Sequence, residues 1–128
     1  MLNRVRGLGL VCVVFGLVGC GAGGSFIPAA GAPERPARSP DSVKVQVDAD
    51  DDQIELGRIK AASGVHPPTT SGIEGGQHGV REQLKKIAAE HGCEAIVLLD
   101  SPVEDLYATS NGTPLYKTYQ NASCFAKR

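Results

Sequence analysis

The sequence predicts an α+β fold: one helix packed on a small, mostly antiparallel sheet, in the order β-β-α-β-β-β. Three patterns carry this expectation. Between Val80 and His91, the residues Val80, Leu84, Ile87 and Ala88 fall on one stripe, as in a helix with one buried face. Ala95-Ile-Val-Leu-Leu99 is a continuous apolar run, as in a strand covered on both faces or central in a sheet. Asn111-Gly112 separates two strand-like stretches, and both residues tolerate the positive φ of a two-residue hairpin turn.

In chain order, Val43-Lys-Val-Gln-Val47 alternates apolar and polar, the period of a half-buried strand. Asp48 to Asp52 interrupts it. Ile54-Glu-Leu56 and Arg58-Ile-Lys60 resume the pattern, with Gly57 as a bulge or close-packing point. Gly64 to Gly79 contains Pro67, Pro68 and several glycines and reads as a long loop. The helix is supported by Glu82 placed i,i+4 to Lys86, and Gly92 suits its C-terminal cap. Leu106 to Thr109 and Leu115 to Phe125 form the arms of the final hairpin. The domain spans residues 43–128. With no Trp and 5% aromatic residues its core is modest, and a domain of this size often needs a covalent staple.

The first 42 residues read differently. Residues 1–19 have the parts of a secretory signal: Arg4 and Arg6, an apolar stretch from Gly7 to Val18, then small residues. The apolar stretch is too short to cross a hydrocarbon layer, which takes about 20 residues as a helix. Leu17-Val18-Gly19-Cys20 resembles the bacterial lipobox. That resemblance implies cleavage between Gly19 and Cys20, a thioether lipid on the Cys20 sulfur, and further acylation, with palmitate for example, of the new amino group. Two or three acyl chains make anchoring stable, whereas one is marginal. Gly21 stands where an Asp favours inner-membrane retention, so the expected location is the outer membrane, facing the periplasm. Residues 20–42 then form a lipid-bearing Cys and a disordered Gly/Ala/Pro tether, because Pro28, Pro33, Pro36 and Pro40 exclude regular helix and central strand.

Ile54-Glu-Leu-Gly-Arg-Ile-Lys60, then Gly64, then Ala88-Ala-Glu-His-Gly92 running into Cys93-Glu-Ala-Ile-Val-Leu98, resembles a family of small envelope domains. The family includes the lipoproteins that sense stress for the Rcs phosphorelay, and YbjQ-like domains share its strand-helix-strand core. The resemblance covers residues 54–99. It implies a sensing or scaffolding role beside a membrane. Cys93 stands where that pattern has a small residue, and this chain has fewer cysteines.

Cys12 leaves with the signal and Cys20 carries lipid, so Cys93 and Cys124 remain in an oxidising compartment. They are expected to be bonded, the competing arrangement being two separate buried thiols. His66, His78, His91 and Cys93 supply ligand types for zinc or copper, but without the paired spacing of such sites. Asp48, Asp50 and Asp52 imitate the start of a calcium loop, yet Gln53 and Ile59 occupy its glycine and glutamate positions, so a solvated turn is expected. Asn121-Ala-Ser123 has the form of a glycosylation acceptor that has no meaning in most bacteria. No nucleophile, base or phosphate loop has defensible spacing, so neither enzyme activity nor a cofactor is expected.

The formal charge is −1. Removing residues 1–19 takes Arg4 and Arg6 from the 13 basic residues and none of the 14 acidic ones, which leaves −3. Nothing in this balance suggests nucleic acid as a partner. The expected function is a lipid-anchored, non-enzymatic interaction domain with a protein partner in the envelope. The alternative is a periplasmic binder of metal or a small molecule, using His66, His78 and the Gly-rich loop.

Overall fold

The computed structural model describes residues 22–128. The signal segment, its cleavage point at Gly19 and the lipid site at Cys20 lie outside the described residues. The strands are β1 (Gly23–Pro28), β2 (Lys44–Gln46), β3 (Gln53–Ala62), β4 (Ala95–Leu98), β5 (Val103–Ser110) and β6 (Thr113–Lys127). The helix is α1 (Thr70–Glu90), and a short 3-10 turn at Pro40–Ser42 precedes β2. The six strands form one sheet in the order β1-β3-β6-β4-β2, with β5 also paired to β6. β2 runs parallel to β4, and every other pairing is antiparallel. One helix on a mostly antiparallel sheet is therefore the architecture.

The helix buries the predicted stripe. Val80, Leu84, Ile87 and Ala88 pack with Leu56, Ile59 and Ala61 of β3, Ile96 of β4, and Ala122, Cys124 and Ala126 of β6. The small β6 residues let the helix lie close to the sheet. The hairpin forms at the predicted place, with Asn111 at φ 51° and Gly112 at φ 80°. The ladder of β3 on β6 shifts register between Glu55 and Gly57, the predicted bulge. The acidic stretch is an exposed turn, closed by Gln53 N–H donating to Asp50 O at 3.0 Å and Asp50 N–H donating to Gln53 Oε1 at 2.8 Å.

Two expectations are corrected. The first is the disordered tether over residues 20–42. Gly23–Pro28 is a strand with six residues in register against β3. Proline is excluded from a central strand because it lacks a ladder donor, but β1 is an edge strand and Pro28 is its last residue. Phe26 stacks on His91 at 3.8 Å between ring centroids and also packs against the core. Gly57 accommodates this approach, since a Cβ there would meet the Phe26 ring and Ile27 O. Further on, Arg38 N–H donates to Ala89 O at 2.9 Å, and Arg35 Nη2 donates to Lys127 O at 2.8 Å. The segment is thus folded onto the sheet and the helix C-terminus.

The second correction concerns the long loop from Gly64 to Gly79. Only its first part is a loop. Thr69 caps the helix by accepting from Gly72 N–H at 3.0 Å, and the helix runs for 21 residues. Glycine is a poor helix former, by about 1 kcal/mol relative to Ala. Packing overrides that at Gly76, where a Cβ would meet Thr118 Oγ1 and the His66 ring.

Two measurements test this fold. In urea unfolding, Gly76→Ala is expected to lose about 1–3 kcal/mol through overpacking, while Gly75→Ala, which meets nothing within 4 Å, is expected to be neutral or to gain up to about 1 kcal/mol. Equal effects would mean that the helix start is not seated on β6. Phe26→Ala is expected to cost about 2 kcal/mol, a tether residue costing nothing.

Candidate functional site

Two buried constellations and one exposed face are the features to weigh. The first lies where the helix turns into β4. The chain leaves the helix at His91, passes Gly92 at φ 77°, and enters Cys93, whose N–H donates to Ala88 O at 2.9 Å. Both Cys93 and Cys124 are fully buried. They form a disulfide, with Cα atoms 5.6 Å apart. The antiparallel pairing sets Ile96 opposite Cys124, and Cys93, two residues before β4, lies beside Cys124 near the end of β6. The bond ties the helix–β4 junction to the C-terminal strand.

The second constellation lies under the N-terminal half of the helix. Its members are His66, Ser63, Thr118 and Glu104. His66 Nδ1 lies 3.0 Å from Pro67 O, which can only accept, so Nδ1 carries a proton. His66 Nε2 lies 2.9 Å from Thr118 Oγ1, and Glu104 Oε2 lies 3.4 Å from the same hydroxyl. Thr118 N–H donates to Ser63 Oγ at 2.9 Å, and Ser63 Oγ–H donates to Gly64 O at 2.8 Å. The His66 backbone exchanges both hydrogen bonds with Tyr116, each at 2.8 Å. Gly76 closes over Thr118 and His66. The cluster is a polar clasp that fastens the loop before the helix to β6. Its hydroxyls and ring nitrogens are hydrogen-bonded to one another and to backbone carbonyls.

The histidines do not converge. His66 is buried in the clasp, His78 is exposed on the helix, and His91 stacks on Phe26. Cys93 is consumed by the disulfide. Among the described residues, no group of three His, Cys, Asp or Glu side chains could hold a metal ion. Ser63, Glu104 and Thr118 were not singled out from the sequence. Thr118 was open to detection, since it continues inward the alternation of Gln120, Ala122, Cys124 and Ala126 along β6.

The third feature is the sheet face turned away from the helix. It presents Ile27 of β1, Arg58 and Lys60 of β3, Tyr119 of β6 and Val103 of β5, all exposed. No helix among the described residues is long and apolar enough to cross a membrane.

No family model matches the chain, and no curated protein matches it in sequence. Among solved structures, a Francisella virulence factor, FvfA, is similar with a TM-score of 0.57 and 17% identity. The alignment covers 80% of this chain and 96% of that one. At this identity the likeness shows the fold alone.

The disulfide closes a loop with a sequence separation of 31 residues. In the chain-entropy account this contributes about 3–4 kcal/mol, a large share of a small domain's stability. Reduction is therefore expected to lower the melting temperature by more than about 10 °C. A thiol count on the unfolded, unreduced mature protein should be near zero. Two free thiols per chain would contradict the bond.

Proposed function

We propose that this protein is a lipid-anchored protein of a bacterial cell envelope whose folded domain is a non-enzymatic interaction module, used for sensing or scaffolding. The observation that carries the reading is Leu17-Val18-Gly19-Cys20 at the end of a signal-like segment. The Cys93–Cys124 disulfide suits the oxidising compartment to which such a signal leads. Acyl chains on Cys20 would hold the domain at the membrane, and Gly21 favours the outer membrane with the domain facing the periplasm.

Interaction rather than catalysis is favoured by the fate of the buried polar groups. The side chains with catalytic potential, His66, Ser63 and Thr118, are engaged with one another and with backbone. The resemblance of residues 54–99 to the Rcs stress-sensor lipoproteins and YbjQ-like domains points the same way. An envelope protein is the expected partner. The scattered histidines give no comparable support to a metal-binding role.

Cys20→Ala is expected to abolish labelling by radioactive palmitate and to leave the precursor uncleaved at this point. Equal labelling of wild type and variant would remove the basis of the reading.

A further inference from the structure

Cys20 precedes Gly23, the first residue of β1, by three positions. Three residues of fully extended chain span at most about 11 Å. A lipid on Cys20 would therefore hold the sheet edge at the headgroup layer, with no long spacer between them. We propose that the sheet face opposite the helix docks on the phospholipid headgroups, so that the domain lies on the membrane in a fixed orientation. This inference rests on lipidation of Cys20.

The strand register shows which side chains the anchor brings to the lipid. Directly opposed residues share a face of the sheet, and neighbouring strands are about 4.8 Å apart. The row nearest the anchor is Gly23, Ala62, Tyr119 and Val103. The next is Ser25, Lys60 and Asn121, and the third is Ile27, Arg58, Ser123 and Val97. In these rows Tyr119 is 38% exposed, Val103 51% and Ile27 64%. Tyr119 offers an apolar ring with a polar tip, and Lys60 and Arg58 have apolar stems with cationic heads. Such side chains suit the boundary between headgroups and acyl chains.

Lys60 is in no ion pair among the described residues, and so is free for a lipid phosphate. Of the acids on this side, Glu55 contacts Arg58 at 3.3 Å, and the Asp100 carboxylate accepts from the backbone and side chain of Asn121. The exposed run Asp48, Asp50, Asp51 and Asp52 precedes Gln53, at the end of β3 away from Ala62. Ten residues of strand put it about 30 Å from the anchored end. The strongest concentration of negative charge is thus at the end of the sheet remote from the anchor.

The chain has no Trp, so single indole reporters are clean. Mature, lipidated protein carrying Tyr119→Trp, or Glu82→Trp on the exposed side of the helix, would be reconstituted into phosphatidylglycerol–phosphatidylethanolamine vesicles with brominated acyl chains. Fluorescence is expected to be quenched for Tyr119→Trp and not for Glu82→Trp. Adding Arg58→Glu or Lys60→Glu is expected to weaken docking by about fivefold each, with palmitate labelling unchanged. Palmitate-labelled protein with equal quenching at both positions, or with none at either, would overturn the docking while leaving the lipid anchor standing. Absence of palmitate label would overturn both.

Discussion

The alternation of β6 places Thr118, Gln120, Ala122, Cys124 and Ala126 on one face, and all five are buried. This 15-residue strand pairs with β3 along one side and with β5 and then β4 along the other. Its inward residues change in character along its length. The C-terminal part is small and apolar, which lets the helix approach and supplies one half of the disulfide. The N-terminal part is polar and holds the His66 clasp. A shift of one residue would turn all of these outward at once. Helix seating, staple and clasp therefore depend on one register.

The covalent and polar fastenings divide the work between the two ends of the helix. Near its start, the clasp joins the loop at Ser63–His66 to β6 through side-chain and backbone hydrogen bonds. Near its end, Cys93 is bonded to Cys124. Each fastening is largely buried, and each compensates for a weakness nearby: a glycine-rich first half of the helix at one end, and a terminal strand liable to fray at the other. A core with so little aromatic content gains much from such additions.

Much of this was legible in the chain. The stripe from Val80 to Ala88, the Asn111-Gly112 turn and the bulge at Gly57 are local signals, and the local physics decides them. The Cys93–Cys124 pair followed from cysteine arithmetic and strand order. The edge strand β1 was not legible, because its Gly23-Gly-Ser-Phe-Ile-Pro28 sequence has the composition of a linker and gains its partner only from β3. The first half of the helix was hidden for a related reason: Gly76 serves the close approach to Thr118 and His66, a tertiary contact. Gly19 and Cys20 stand out as a motif without any structure. The exposed face formed by Ile27, Arg58, Lys60, Tyr119 and Val103 draws on four strands, so it exists only once the register is known.

The direction of β1 has a mechanical consequence. Gly23 lies beside Ala62 at one end of β3, and the acidic turn precedes Gln53 at the other. A pull between the start of β1 and that turn runs along both strands in opposite senses. The ladder between them is then loaded in shear, with its hydrogen bonds sharing the force together rather than opening one by one. A force transmitted through the domain from Gly23 to its far end meets the fold in its stiff direction.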